Sequence, residues 1–430
     1  MDRRLLVLAL GMFALGTDSF VMAGILPQIA HAFRVPIGAA GQVTTVYAIT
    51  YALMAPTVAA IAARVPRKTL LLSSLATFVV ANLATALAPN YAVALATRVL
   101  AGLGAAMFAP TATGAAATMV SPEKRGFALA VVITGLTAST ALGTPIGTVI
   151  GGLGDWRWTM VFVSALAGAS GLGVWALLSH IPLPPAISLA ERVAPIRDAR
   201  VALTLLTGLV YQAGHFVCYT YFTVVFDRVL QHDTMLISAL LVLWGASGMV
   251  ANLITGRLSD LIGNRKVIVA LLIVLALVMA WLPWASAHLW TTAIAVAIWG
   301  AAAWGLLAPQ QHRLVALAPR SAPVVLGLNT SGSYLGFTAA GIVGALALPV
   351  VGGHNLGYIG AAFAVVALGI AELAALKINS ANGTDQYPRG EMNHDADKHR
   401  SDGLQLEPGA DVVLCQGEHI RVERRIRRFR

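Results

Sequence analysis

A single carboxylate lies deep in an apolar stretch near the start of the chain. Asp18 is the only ionisable residue between Leu5 and Pro27, and the sequence around it reads GTDSFVMAGILP. In a helix that begins near Leu5, Asp18 lies roughly 20 Å along the axis. Because an unpaired charge in an apolar medium is costly, we predict that Asp18 binds and releases a proton. The alternative is a hydrogen bond to a neighbouring helix.

An arginine occupies a similar position in the fourth apolar segment, TRVLAGLGAAMFAPT. Arginine within a membrane span is rare and usually faces a polar interior. We predict that Arg98 points inward, towards a carboxylate or a backbone carbonyl. The alternative is that its long side chain reaches outward to the nearby membrane surface.

The most polar aromatic stripe lies in TGLVYQAGHFVCYTYFTVVF, the seventh apolar segment. Tyr211, His215 and Tyr219 are spaced by four and therefore share one helical face, with Gln212 beside them. We predict that they line a cavity in which His215 contacts a proton or a bound molecule; a histidine satisfied by packing is the alternative. Weaker candidates for the lining, chosen as polar or aromatic residues within apolar segments, are Tyr47, Tyr51, Trp304 and Asn329.

Motifs of enzymatic chemistry are missing from the sequence. It contains no G-x-S-x-G, no P-loop and no His and carboxylate pairs at metal-ligand spacing. We predict that the protein is not an enzyme and has no metal site and no cofactor. Without a P-loop the chain cannot bind and hydrolyse ATP in the usual way, so an ion gradient is the expected energy source.

The composition predicts the elements that carry these residues. The chain is 57% hydrophobic and 11% charged, whereas soluble domains carry about 25% charged residues. Apolar runs near the roughly 20 residues that cross a bilayer recur along it. We predict an all-α polytopic membrane protein with twelve transmembrane helices. Their approximate limits are 5–27, 41–62, 69–88, 93–118, 127–151, 159–179, 201–226, 235–257, 266–284, 289–311, 323–350 and 356–377.

The longest internal loop, IPLPPAISLAERVAPIRDAR, divides these segments six and six. Two six-helix halves around a site at the midplane are typical of secondary transporters. The predicted organisation is an N-terminal half, a cytoplasmic linker, a C-terminal half and a polar, disordered cytoplasmic tail, at 1–179, 180–200, 201–377 and 378–430.

The distribution of basic residues predicts the orientation. With the N-terminus inside, only Arg34, Arg157 and Arg228 fall in outside loops, and the other basic residues up to Lys377 lie inside, apart from Arg98 within its span. Because Lys and Arg favour the cytoplasmic side, we predict that both termini are cytoplasmic. The formal charge of +10 therefore reflects topology rather than a nucleic-acid partner.

The loop after the eighth segment carries the first family resemblance. It reads GRLSDLIGNRK and resembles the major facilitator superfamily signature G-x-L-x-D-x-x-G-[RK]-[RK], except at Asn264. An aspartate there can accept charge-assisted hydrogen bonds and so latch one conformation. The equivalent first-half loop has Ala62 in place of this aspartate. The predicted latch residues are Gly256, Asp260, Gly263, Arg265 and Lys266.

The fifth segment carries the second family resemblance. Gly143, Pro145, Gly147 and Gly151 lie in GTPIGTVIGGLGDWRWTMVF, which resembles the antiporter motif of exporters and the corresponding variant of bacterial drug and sugar efflux permeases. Small residues at this spacing let helices approach closely, and a proline bends the helix. Plain helix packing is the alternative interpretation and is compatible with the first.

Together these motifs resemble the twelve-span drug:proton antiporters of the major facilitator superfamily, near the arabinose-efflux-like and chloramphenicol-resistance permeases, over about residues 1–377. The resemblance implies export of a small, fairly apolar molecule, drug-like or a sugar- or nucleoside-type metabolite, in exchange for protons by alternating access. It implies a monomer in a bacterial-type plasma membrane, with Asp18 and Arg98 coupling proton to substrate. The alternatives are a proton-coupled importer or facilitator of a sugar or nucleoside, and a membrane sensor or scaffold.

Overall fold

The computed structural model describes residues 2–179, 181, 187–231 and 233–385. These residues form helices joined by short turns, and no strand occurs among them. The all-α prediction is therefore confirmed for this part of the chain. The rest of the predicted linker and most of the predicted tail, 386–430, lie outside the described residues.

The described chain contains twelve helical segments long and apolar enough to cross a membrane, as predicted. Most extend a few residues beyond the predicted limits, because their first and last turns lie in the polar flanks of each apolar run. In chain order, α1 to α12 are Arg3–Phe33, Ile37–Arg64, Arg67–Ala86, Tyr91–Thr118, Arg125–Leu153, Arg157–Leu177, Ala199–Thr220, Thr234–Ile262, Asn264–Ala285, Leu289–Leu317, Pro319–Val351 and Leu356–Ser380.

Several of these segments contain a short irregular turn or an extension. The helix of α12 continues to Asp385, so the tail predicted from residue 378 begins within it. Segment α2 comprises Ile37–Ala40, Gln42–Ile61 and Ala62–Arg64, and segment α5 comprises Arg125–Ala138, the π-helical turn Ser139–Gly143 and Thr144–Leu153. Segment α10 comprises Leu289–Gly305 and Leu307–Leu317, and segment α11 comprises Pro319–Ser321 and Ala322–Val351. The helical turns between the segments are Pro122–Lys124, Leu189–Val193, Ala194–Arg197, Phe222–Val225 and Asp227–Leu230.

Acidic and amide side chains at segment ends explain where several helices begin. Asp2, Asn90, Asp198 and Asp233 each accept a hydrogen bond from a backbone N–H of the first turn, which satisfies donors that have no partner within the helix. The Arg200 guanidinium also bonds to Asp198 and lowers the pKa of that carboxyl. These side chains therefore cap helix ends, in contrast to Asp18.

Within the first six helices, α1 packs mainly against α5 and α6, and α4 packs mainly against α2 and α3. The pair α7 and α11 is packed closely, as are α8 and α10. The most extensive contacts between the first six helices and the last six are α2 with α11 and α5 with α8, and α1 adds smaller contacts with α7 and α8. Residues up to Ala381 form one compact unit, and the division into halves at 1–179 and 201–377 stays a prediction.

The seam between α2 and α11 is tight at the end of the bundle away from the linker, which we call the far end. The Tyr221 hydroxyl donates to the Gly341 carbonyl at 2.8 Å, and Gln42 Nε2 donates to the same carbonyl at 3.2 Å. A Cβ on Gly38 would lie 3.3 Å from the backbone of Ala345. The two sets of helices therefore meet there almost backbone to backbone.

The glycines of α5 face α1. A Cβ at Gly143 would lie 2.0 Å from Thr17 Oγ1, and one at Gly147 would lie 2.7 Å from Val21 Cγ2. Thr17 is held in place because its hydroxyl donates to the Phe13 carbonyl at 2.8 Å. Side chains at these α5 positions would push away the helix that carries Asp18.

We therefore expect Gly143→Ala to destabilise the protein by about 1–3 kcal/mol, the usual cost of overpacking. The measurement is thermal unfolding of the purified protein in detergent. Gly168→Ala is the matched control, because a Cβ there meets nothing within 4 Å. Equal melting temperatures for the two variants would contradict the packing role of Gly143.

Candidate functional site

The two intramembrane charges predicted from the sequence form one buried ion pair. Arg98 Nη1 donates to Asp18 Oδ1 at 2.9 Å, and Nη2 donates to Oδ2 at 2.7 Å. Both side chains are 0% exposed. A bidentate arginine–carboxylate pair is among the strongest charge-assisted interactions in proteins. Arg98 thus points inward, and the carboxylate partner expected for it is Asp18.

Two further side chains complete the surroundings of the guanidinium. Asn82 of α3 accepts a hydrogen bond from Arg98 Nη1 at 3.1 Å, and the ring of Tyr47 lies 4.8 Å from the guanidinium carbon. Arg98 Nε has no hydrogen-bond partner within the described residues. The pair is therefore enclosed by α1, α2, α3 and α4, but its hydrogen bonding is incomplete.

Ser19 connects the ion pair to the other set of helices. Its hydroxyl lies 3.1 Å from the Tyr47 hydroxyl and 3.5 Å from the Tyr334 hydroxyl of α11. The Tyr334 ring stacks on Tyr51 with 3.9 Å between centroids. A short path of side chains thus runs from the residue next to Asp18, across the seam, to α11.

Aromatic rings fill the middle of the seam. Phe20 of α1 lies 6.2 Å from Phe216, 5.9 Å from Tyr219 and 5.8 Å from Trp304 between ring centroids. The Tyr219 hydroxyl donates to the Phe20 carbonyl at 3.1 Å. We call the following set the central aromatic cluster: Phe20, Tyr211, His215, Phe216, Tyr219, Trp244, Trp299, Trp304 and Phe337.

His215 and Gln212 form a pair inside this cluster. His215 Nε2 lies 2.5 Å from Gln212 Oε1, and its ring lies 4.2 Å from that of Phe216 and 6.2 Å from that of Tyr211. Its Nδ1 has no hydrogen-bond partner in the described chain. The stripe predicted on α7 therefore lies together on one side of the cluster, and His215 is buried rather than exposed to an open cavity.

The residues predicted on α5 and α11 lie outside the central aromatic cluster, in different sets of helices. The carbonyl of Pro145, two residues after the end of the π-helical turn, accepts a hydrogen bond from Ser238 of α8 at 3.4 Å. Gly151 faces Thr159 of α6 and Ile25 of α1. Asn329 is buried, with its Oδ1 3.3 Å from where a Cβ on Gly208 would lie, within the last six helices.

The predicted loop residues lie at the linker end of α8 and α9. Asp260 is 75% exposed, and its nearest ionic partner is His312 Nδ1 at 3.9 Å. Arg265 pairs instead with Glu372 of α12. Gly256 precedes Asp260 in α8, and Lys266 follows Arg265 in α9. Gly263 ends α8 with φ +89°, a backbone angle that favours glycine. In this structure Asp260 and Arg265 are not each other's partners.

Sequence reasoning missed several residues of the site. Asn82 and Tyr334 could have been found by the criterion that selected Asn329 and Tyr47, a polar side chain within an apolar segment. The missed Trp and Phe rings meet the aromatic criterion that selected Trp304, but that criterion does not separate them from the other aromatic residues of the apolar segments. Ser19 carries no such signal, because Ser is an ordinary component of a membrane helix. The residues missed were Ser19, Phe20, Asn82, Phe216, Trp244, Trp299, Tyr334 and Phe337.

Comparison with known proteins agrees with the fold and the motifs. A family model described as Major Facilitator Superfamily matches residues 8–341. The chain is 30% identical to the inner membrane transport protein YdhP of Escherichia coli O157:H7 over 79% of this chain and 88% of YdhP. It is 33% identical to a chloramphenicol resistance protein of Streptomyces lividans over 60% of this chain and 66% of that protein.

Among solved structures, the human organic anion transporter MFSD10 has a similar fold. The TM-score is 0.64, and the match covers 86% of this chain and 99% of MFSD10, at 17% identity. This similarity concerns the fold alone. It agrees with the all-helical architecture of the described residues.

The buried pair generates a prediction about stability. Removing one partner of a buried ion pair leaves an uncompensated charge and costs about 3–5 kcal/mol. We expect that loss for Arg98→Ala, and we expect the double variant Asp18→Leu with Arg98→Met to recover most of it. Chemical denaturation in detergent micelles measures both.

Arg157→Ala is the matched control, because its pair with Asp155 is largely exposed and such surface pairs contribute only about 0–1 kcal/mol. If Arg98→Ala were no more destabilising than this control, the pair would not hold the first six helices together.

Proposed function

The chain belongs to the major facilitator superfamily, and on that premise we propose that it exports a small, fairly apolar molecule in exchange for protons. The chain is a multi-pass membrane transporter with relatives of the efflux type. The proton exchange and the outward direction are the proposal. The observation that carries it is the fully buried Asp18–Arg98 pair beside the seam between the two sets of helices.

Asp18 is the proposed proton-binding group. The bidentate bonds to Arg98 require an ionised carboxylate, because a protonated one loses acceptor capacity and charge. Protonation would leave Arg98 with Asn82 and the ring of Tyr47. Because protonation removes this strong interaction between α1 and α4, proton binding can shift the equilibrium towards a conformation in which α1 has moved relative to α4.

The proposed coupling to substrate runs through the residues that flank Asp18. Thr17 packs on Gly143 of α5, and Ser19 lies within reach of Tyr47 and Tyr334. A shift of α1 would therefore change both the α5–α8 contact and the α2–α11 contact. These are the contacts that must open and close if the two sets of helices rock against each other.

The state described here fits the inward-open stage of such a cycle. Among the described residues, hydrogen bonds across the seam lie at the middle or at the far end, through Ser19, Tyr219, Tyr221, Gln42 and Ser238. At the linker end, the carboxylate of Asp260 is mostly exposed. In the opposite stage we propose that the linker end closes and that Asp260 becomes buried as a latch.

A transport assay tests the proposal. In energised everted vesicles, where export appears as uptake, we expect the wild-type protein to accumulate chloramphenicol, the first compound to try given the Streptomyces lividans relative. Asp18→Asn mimics the protonated acid and should reduce accumulation to the level of vesicles without the protein. Asp155→Asn, an exposed acid, is the matched control and should transport normally.

Full proton-driven uptake by Asp18→Asn would exclude Asp18 as the coupling group. Substrate movement out of the everted vesicles, driven by the same gradient, would favour the importer.

The orientation is tested by single cysteines in a variant without Cys218 and Cys415. We expect a membrane-impermeant maleimide added to spheroplasts to label Gln231→Cys, between α7 and α8, but to label Ser188→Cys, in the linker, only after permeabilisation. Both positions are exposed. The reverse labelling pattern would place the termini outside.

A further inference from the structure

We infer, building on the proposed function, that the transported molecule is uncharged and carries a hydroxyl group next to a flat apolar ring. The proposed subsite lies where Trp304 and Phe20 meet at the seam and continues to Trp244 and His215 inside the last six helices. The inference rests on the charge balance of the buried interior and on a group of unpartnered polar atoms in the central aromatic cluster.

The buried interior has no negative charge to offer a cation. Among the described residues, the buried side chains that carry a formal charge are Asp18, Arg98 and Arg313. Asp18 is neutralised by Arg98 in the bidentate pair, and protonation of Asp18 would make the interior more positive. Because burying an unpaired charge is costly, a cationic molecule would find no compensation at this site.

An anion would find positive charge in the buried interior, but neither buried arginine is free to pair with it. The guanidinium of Arg98 is 0% exposed and is already covered by Asp18, Asn82 and the ring of Tyr47. Arg313 lies near the linker end of α10, where its Nη2 donates to the Ala371 carbonyl. The central aromatic cluster itself contributes rings and neutral polar groups, which suit an uncharged molecule.

The cluster contains polar atoms without partners. His215 Nδ1 and the indole nitrogens of Trp244, Trp299 and Trp304 are buried and lack a hydrogen-bond partner within the described chain. The ring of Trp244 lies 5.7 Å from Trp299, 5.7 Å from Trp304 and 6.3 Å from His215. All four atoms therefore belong to one contiguous group of rings, where leaving a buried donor unpaired is unfavourable.

A hydroxyl group matches this set. An indole N–H can only donate, whereas the unprotonated nitrogen of a neutral histidine can only accept. With Nε2 of His215 directed to Gln212 Oε1, Nδ1 is the acceptor. A hydroxyl can accept from an indole and donate to His215 at once, while an apolar ring packs against the aromatic faces.

The seam gives such a molecule access. Trp304 contacts Phe20 of α1 across the seam, and Gly248 lies under the Trp304 ring, where a Cβ would meet Cδ1 at 2.3 Å. When the two sets of helices separate, Phe20 is withdrawn from Trp304 and from the rings behind it. The subsite is thus reached from the plane where alternating access operates.

The experiment uses four probes with one shared ring: 4-nitrobenzyl alcohol, 4-nitrotoluene, 4-nitrobenzoate and (4-nitrobenzyl)trimethylammonium. Their binding to the purified full-length protein is titrated by ligand-detected NMR, with empty micelles subtracted. We expect the alcohol to bind tightest. The toluene should bind about threefold to tenfold more weakly, as expected for the loss of a hydrogen bond, and the two ions at least as weakly as the toluene.

Variants test the indole donors. Trp304→Phe and Trp244→Phe keep an aromatic ring but remove the N–H, so each should weaken the alcohol about threefold more than it weakens the toluene. Trp290→Phe, at an 80% exposed position, is the control and should change neither. A melting curve for each variant confirms folding, and retained toluene binding shows that the ring site persists.

Tighter binding of either ion than of the alcohol, binding of none of the four probes, or equal affinities of alcohol and toluene would overturn the inference. Alcohol binding unaffected by both tryptophan variants would overturn it too, and would assign the indole donors to buried water. Because binding needs no proton gradient, the outcome is separate from the transport assay: a chain that binds the alcohol but does not exchange protons would refute the proposed function alone.

Discussion

The buried pair of Asp18 and Arg98 is the interaction on which the rest of the molecule depends. Neither side chain is exposed, and burying either charge without the other would cost roughly several kcal/mol of desolvation free energy. The cost is offset only where α1 and α4 bring the carboxylate and the guanidinium together in bidentate geometry. Asn82 of α3 and Tyr47 of α2 tie two more helices to the same point.

This constraint on α1 extends into the seam between the two sets of helices. The residues before and after Asp18 are occupied in different contacts: Thr17 against the glycine face of α5 and Ser19 near Tyr47 and Tyr334. Phe20 then enters the central aromatic cluster. Four successive residues of α1, from Thr17 to Phe20, thus contact α5, the ion-pair partner, α11 and the central aromatic cluster in that order. A change in the position of α1 therefore affects all four contacts.

The close packing of α5 explains why a helix with so much glycine remains in place. Gly143 and Gly147 allow α1 to approach, and the π-helical turn Ser139–Gly143 ends two residues before Pro145. Irregular turns of this kind are frequent at functional sites of helices. On the other side, α5 contacts α8 through Pro145 and Ser238. One helix therefore links the ion pair region to the last six helices.

The sequence by itself determined the local properties of this protein. Hydropathy and segment length predicted the twelve helices, because both depend only on the residues of each segment. The cost of a charge in an apolar run identified Asp18 and Arg98, and the spacing of four placed Tyr211, His215 and Tyr219 on one face.

Tertiary structure alone decided the partnerships. Asp18 and Arg98 are 80 residues apart, and their pairing depends on how α1 packs against α4. The burial of His215, the pairing of Arg265 with Glu372 and the positions of Ser19 and Tyr334 likewise depend on contacts between distant helices. Such contacts follow from shape and distance between surfaces, which no property of a single segment encodes.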